Sequence, residues 1–175
     1  IQGISLKCGA SVPFLRPKSL SGDKASTLSA VRYTMNKLVK DENYTTDYII
    51  TLQPTSPLRN KKNIEEAINK ILEDKNADSL VSCVNVPHNF LPESLMKMNG
   101  KYLENFSDKR NNLRRQDKKK LIARNGAAIY ITKSKNINKY IFGGKIIPYF
   151  MEYENSIDID TKRDLEIALL FKKYI

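Results

Sequence analysis

Glycine is scarce in this 175-residue chain, which has seven, and none sits in a loop built to cradle phosphates. A loop of that kind needs closely spaced glycines, so that successive backbone N–H groups can turn toward one anion. Cysteine and histidine are scarcer still: Cys8, Cys83 and His88 are all the sequence holds. They fit no familiar zinc spacing, and two isolated thiols favour a reducing compartment over a disulfide framework, so a cytoplasmic location is expected. No apolar run approaches the ~20 residues needed to span a bilayer, and the first ten residues lack the basic start and apolar core of a secretory leader. A membrane partner is therefore not expected.

What is present is enough apolar residue, 41% of the chain, to bury one domain's core, so residues 1–175 are read as a single domain. The formal net charge of +11 favours anionic partners, whether a nucleotide, an acidic sugar, a nucleic acid or an anionic surface. The basic run around Arg114, Arg115, Lys118, Lys119, Lys120 and Arg124 has no aromatic residue between Phe106 and Tyr130. Single-stranded nucleic acid would need such rings for base stacking, so nucleic acid is not the expected partner.

The most informative stretch is an apolar run that stops at a proline-bracketed loop. Residues 48–52 are rich in β-branched and aromatic types without clean alternation, as in a strand of an α/β sheet buried on both faces. Pro54 cannot donate to a ladder and Pro57 keeps Ser56 extended, so Gln53, Thr55, Ser56 and Arg59 are presented just beyond the strand's carboxyl end. Ligands bind at that edge in open α/β sheets; the plain alternative is a polar connecting turn.

Elsewhere the pattern gives a helix capped by Ser26 or Thr27, with Leu28, Val31, Met35 and Leu38 facing the core. It gives a second helix starting at Asn63 and Glu66, with Ile64, Ala67, Ile68, Ile71 and Leu72 inward. Residues 79–86 read as a buried strand, and Asn99-Gly100 as a hairpin turn. A short helix is expected over 135–140, then an edge or bulged strand over 146–151 because of Pro148. A last helix, capped by Asp160 or Thr161, is expected to bury Leu165, Ala168, Leu169 and Phe171. In Ser156-Ile157-Asp158-Ile159-Asp160, extended backbone puts both carboxylates on one face, suited to one hard cation such as magnesium. A helix-capping role is the alternative.

The string Leu52-Gln53-Pro54-Thr55-Ser56-Pro57-Leu58-Arg59 closely resembles the signature of the acylneuraminate cytidylyltransferases, which couple CTP to a nine-carbon acidic sugar. Similar strings follow in the family's order, at Arg114-Arg115-Gln116-Asp117, at residues 123–131 around Asn125-Gly126, and at Ile157-Asp158-Ile159-Asp160; residues 9–17 are similar as well, with Arg16 and Asp23 placed near the nucleotide. The resemblance implies a three-layer, Rossmann-like (GT-A-like) nucleotidyltransferase of the α/β class, with a mixed sheet and a protruding hairpin arm over 94–106 that reaches across a homodimer interface. It implies Asp158 and Asp160 as magnesium ligands, with Gln53 orienting sugar or nucleotide beside Thr55, Ser56 and Arg59. Arg115, Gln116 and Asn125 fall to the sugar; a guanidinium can grip a carboxylate through two parallel bonds where lysine cannot.

His88 is read as touching the sugar or a neighbouring subunit, and no general base stands out. The family's opening strand and basic, glycine-containing phosphate loop have no counterpart in the sequence. The chain is therefore read as the carboxyl-terminal part of a longer enzyme, weak or inactive alone. The alternatives are a nucleotidyltransferase for another acidic sugar such as KDO, and a non-catalytic polyanion-binding remnant.

Overall fold

A computed structural model describes residues 1–22, 24–107, 114, 116 and 119–173. In chain order the elements are α1 (Gln2–Lys7), α2 (Thr27–Glu42), β1 (Tyr48–Thr51), α3 (Lys61–Glu73), β2 (Ser79–Asn85), β3 (Met96–Asn99), β4 (Tyr102–Asn105), β5 (Ile122–Arg124), β6 (Tyr130–Lys133), β7 (Ile146–Phe150) and α4 (Lys162–Phe171). They fall into two compact units, Ile1–Ile49 with Thr132–Ile141, and Ile50–Ile131 with Phe142–Ile175.

The first unit is built on α2. The Ser26 side chain accepts from Ser29 N at 3.1 Å, as its N-cap role requires, and Asn43 closes the helix in the left-handed region at φ 51°. Leu28, Val31, Met35 and Leu38 are half-buried and Ala30 is buried, which is the inward stripe expected from their spacing.

The second unit holds most of a mixed sheet, ordered β1-β6-β2-β5, with β7 added to β2. The β2–β7 pair is parallel, Ser79 opposite Ile146 through Cys83 opposite Phe150, whereas β2–β5 is antiparallel with Cys83 opposite Arg124. This is the mixed α/β sheet expected from the sequence. Burial concentrates in β2 and β6, where Leu80 and Ile131 are at most 1% exposed, as is Ile129 just before β6. From α3, Ala67 and Ile71 are buried, and Tyr149 of β7 donates to Glu66 at 2.7 Å while accepting from Asn63 at 3.3 Å.

Several local expectations are corrected. Residues 48–52 are not buried on both faces: β1 is the terminal strand of the sheet order, and Ile50 and Leu52 are 38% and 39% exposed. Helix α3 starts earlier, because Asn60 and Asn63 form the reciprocal box; an asparagine amide at the third position takes the N-cap N–H as a glutamate would. Leu72, Leu165 and Leu169 are 51%, 46% and 55% exposed, so both helices bury narrower stripes than expected. Residues 134–136 form a single 3-10 turn, and β5 was not foreseen.

The hairpin is present one residue along from its expected place. Asn99 pairs with Tyr102, so the two-residue turn is Gly100-Lys101, with Gly100 at φ 60° as a Gly-first turn demands. All eight residues of β3 and β4 are exposed. Pro148 sits in β7, which pairs with β2 and so tolerates the missing donor at an edge.

Candidate active site

Three loops of the second unit are stitched together by backbone bonds. The bend at residues 53–59 leaves β1, the bend at 125–128 links β5 to β6, and residues 155–160 lead into α4. Gln53 N donates to Ala127 O at 3.1 Å, and Arg59 Nη1 donates to both Gln53 O at 3.2 Å and Ala128 O at 2.6 Å. Ile159 N donates to Thr55 O at 2.9 Å, and Asn155 Nδ2 to Leu58 O at 2.9 Å. Ile157 packs with Leu58 and Ala168 in a small buried cluster, flanked by Ile159, Ile167 and Phe171. The isoleucines thus anchor one side of the Ile-Asp-Ile-Asp string while the aspartates take the other.

The third side of the triangle closes at Gly126, whose φ of 67° lies in the left-handed region. A Cβ built on it would lie 2.3 Å from Asp158 Oδ2 and 2.7 Å from Asp158 Cγ. The carboxylate therefore lies where any side chain at position 126 would go, which is a reason for glycine beyond the turn itself. Tyr130 braces the same bend: its hydroxyl donates to Gly126 O and accepts from Arg124 Nη1 at 3.1 Å. The Arg124 guanidinium in turn lies 4.6 Å above the Phe142 ring. Ser82 of β2 fixes the exit from the bend, its N donating to Ile129 O and its Oγ accepting from Ile129 N, both at 2.9 Å.

Gln53, Thr55, Ser56, Arg59, Asn125 and Asp158 are therefore neighbours through these bonds, with exposed Asp160 two residues beyond Asp158. Arg59 is half-buried with its Nη1 already on two carbonyls, and burial pushes its guanidinium below the usual range. Asn125 is 6% exposed; its Nδ2 donates to Ser156 Oγ at 2.8 Å, and Ser156 Oγ donates to Glu152 O at 2.8 Å. Ser56 Oγ, Asn125 Oδ1 and Asp158 Oδ1 are buried without a hydrogen-bond partner among the described residues. Leaving such atoms unmet costs on the order of 1–3 kcal/mol each, a burden typical of sites that wait for a ligand. Sequence reading missed Ser82, and it missed the bracing roles of Tyr130 and Ser156 although both lie inside strings it singled out.

Not every expected residue joins this cluster. Arg115 and Asp23 lie outside the described residues. Gln116 instead lines a second recess of about 490 Å³ with Pro87, His88, Leu91, Lys120 and Leu121. A further recess, about 430 Å³, lies in the first unit among Thr46, Tyr48, Lys133 and Ser134, none of them in a motif string.

The donor set suits a hard cation in part. Asp158 and Asp160 supply carboxylate oxygens, one of them the partnerless Asp158 Oδ1. Among the described residues no third carboxylate, histidine or cysteine completes a metal-binding group, so the remaining positions fall to water and phosphate, which is how magnesium is commonly held. Asp164 takes the capping duty instead: its Oδ2 accepts from Thr161 N at 2.7 Å and from Asp160 N at 3.2 Å, while Thr161 Oγ1 accepts from Asp164 N. The capping alternative thus falls to Thr161 and Asp164, and both aspartates of the string keep their oxygens out of the box.

No protein-family model matches the chain. It is 28% identical over 171 residues to the pseudaminic acid cytidylyltransferase of Campylobacter jejuni, covering 97% of this chain and 72% of that protein. The N-acylneuraminate cytidylyltransferase of Escherichia coli is 27% identical over 161 residues, covering 91% of this chain and 36% of that protein. Among solved structures, a CMP:2-keto-3-deoxy-manno-octonic acid synthetase complexed with CTP superposes with a TM-score of 0.55 at 14% identity, covering 86% of this chain and 70% of that one; this is a likeness of fold. Shared motif order, the convergence of those motifs in space and these relatives agree: the chain is similar to the acylneuraminate cytidylyltransferases.

Proposed function

We propose that the protein is a cytidylyltransferase that joins CTP to a nonulosonic acid, giving the CMP-sugar and pyrophosphate. The observation that carries this reading is the contact of Asp158 with Gly126 beside the Thr55–Ile159 bond, which unites the three motif loops in one site. In the reaction the sugar's anomeric oxygen attacks the α-phosphorus in line. A new P–O bond forms, the bond from the α-phosphorus to the α–β bridging oxygen breaks, the hydroxyl proton passes to solvent, and pyrophosphate leaves.

Asp158 and Asp160 are the residues that would hold a magnesium ion. Such an ion would supply positive charge against the triphosphate. Gln53, its backbone held on both sides, orients a reacting group; Asn125 and Ser56 meet polar groups of the substrates. Arg115 and Gln116 serve the sugar. The exposed apolar side chains of the hairpin, Met96, Met98, Tyr102 and Leu103, favour a homodimer in which this arm packs on a second copy. Among the described residues no helix is long and apolar enough to cross a membrane, and a cytoplasmic location suits the substrates.

Titration of the purified chain with CTP, with and without magnesium, tests the reading. Wild-type protein should bind CTP more tightly with magnesium, and Asp158→Asn should remove that increment. Binding of DNA or RNA with a steep salt dependence, together with indifference to CTP and acidic sugars, would establish the polyanion-binding alternative instead.

A further inference from the structure

Two strands of the sheet, β7 and β1, differ along their outer edges. At β7, Met151 N donates to Cys83 O at 3.0 Å and Ser79 N to Lys145 O at 3.3 Å, so odd-numbered residues there turn their backbone groups toward β2. Pro148 therefore turns outward, where its missing N–H blunts the edge. Strand β1 has no such guard. Ser134 N donates to Asp47 O at 2.8 Å and Gln53 N to Ala127 O at 3.1 Å, so here too the odd-numbered residues face their neighbour, β6. The two bonds run in opposite order along the strands, which makes the pair antiparallel. By the alternation of such a ladder, Tyr48, Ile50 and, just past the strand, Leu52 turn their N–H and C=O groups outward.

Thr46 Oγ1 donates to Tyr48 O at 2.7 Å, and the outward groups of Ile50 and Leu52 meet no partner among the described residues. Residues 48–52 hold neither charge nor proline, and the Ile50 and Leu52 side chains are exposed. An apolar edge left open in this way is a template for another strand. The same stretch of a second copy complements it. When two copies pair antiparallel about Ile50, each Ile50 meets its counterpart and each Tyr48 meets Leu52 of the second copy, all on one sheet face. Asp47 falls opposite Gln53, so no like charges meet. All three outward residues then exchange backbone bonds, about six in all. A shift of two residues either way loses this match, setting Leu52 against Thr46 or Tyr48 against Pro54, which has no N–H.

We propose that two copies of this chain join edge to edge through β1, antiparallel about Ile50, so that their sheets become continuous. This contact is separate from the hairpin and smaller. It consists of the outward backbone groups of residues 48–52 and one strip of apolar side chains, so it forms at higher concentration than the hairpin pair. It needs neither nucleotide nor sugar, and it stands or falls independently of the cytidylyltransferase reading.

The test starts from the chain carrying Met98→Lys and Tyr102→Glu, so that the hairpin does not contribute. Sedimentation equilibrium should give one chain mass when dilute and twice that mass after about a hundredfold concentration, a range that spans one binding transition. Adding Ile50→Lys sets two ammonium groups against each other and should raise the dissociation constant at least about tenfold, as should Ile50→Glu. An equimolar mixture of those two variants should return the constant to within about threefold of its starting value, which also shows that both fold. With Cys8→Ser added, oxidation should link Ile50→Cys chains in pairs, because the facing Cα atoms lie about 5.5 Å apart, and leave Tyr48→Cys chains unlinked. One chain mass at every concentration overturns the pairing. So does association that Ile50→Lys leaves unchanged, or a mixture that associates no better than either variant alone.

Discussion

Position 126 has little freedom. Its backbone sits at φ 67°, and the space a methyl group needs is taken by the Asp158 carboxylate. Gly126→Ala should therefore cost about 1–3 kcal/mol of stability from backbone strain alone. It should also abolish the magnesium-dependent increment in CTP binding, because Asp158 must move. Denaturant midpoints and calorimetry measure the two effects separately. Arg59 gives a contrasting case. It reads in the sequence as a substrate cation, yet its Nη1 donates to Gln53 O and Ala128 O. Arg59→Met leaves both carbonyls short of a charged donor, and we expect about 2–3 kcal/mol of destabilisation with a larger loss in kcat than in KM for CTP. An increase in KM alone, with stability unchanged, would return Arg59 to the substrate.

Among elements, α4 and the α3–β7 contact respond to pH in opposite directions. The Thr161 hydroxyl, followed by its backbone N–H, holds the Asp164 carboxyl below the usual carboxylate range. A lowered folded-state value means that this contribution is present above the unfolded value, about 4, and is lost as pH falls through the folded one. Asp164→Ala should lower the urea midpoint at pH 7 and converge with wild type near pH 2. Tyr149 behaves the other way. Burial is the main cause that raises its phenol, Glu66 adds to the rise, and Asn63 works against it. Its contribution is complete below about pH 10 and lost as pH rises through the folded value. Tyr149→Phe should cost about 1–2 kcal/mol near neutrality by removing the partner of Glu66 and Asn63.

The same elements explain what the sequence made legible. Caps and turns are local chemistry, so the Ser26 and Thr161 caps and the Gly100 hairpin were readable to within a residue or so. Burial is not local. Ile50, Leu165 and Leu169 carry a core pattern, but whether another element covers them depends on sheet order and packing that no short window contains. Strand β5 escaped notice because Ile122-Ala123-Arg124 is short and mixed, and becomes a strand only through its pairing with Cys83–Asn85. In the site, Gln53, Asn125 and Asp158 were findable because they sit in motif strings. Ser82 was not, and the bracing roles of Tyr130 and Ser156 went unread although both lie inside such strings, since a hydroxyl that braces a loop looks like any other.

At the scale of the whole molecule, the exposed hairpin bears on assembly. Met98, Tyr102 and Leu103 are 66%, 69% and 60% exposed on a two-stranded sheet that is too small to hold itself together well alone. Light scattering after gel filtration should give twice the mass of the chain, and Met98→Lys with Tyr102→Glu should return it to one. A wild-type monomer at high concentration would remove the dimer from the proposal.

The Thr55–Ile159 bond has a consequence for biosynthesis. Every described strand has been synthesised once Phe150 is added, yet neither aspartate has been translated by then. A chain ended at that point and released holds all the described strands but lacks Asp158 and Asp160. Competence to handle CTP therefore arrives late, when the segment after Phe150 docks onto loops that were finished long before it.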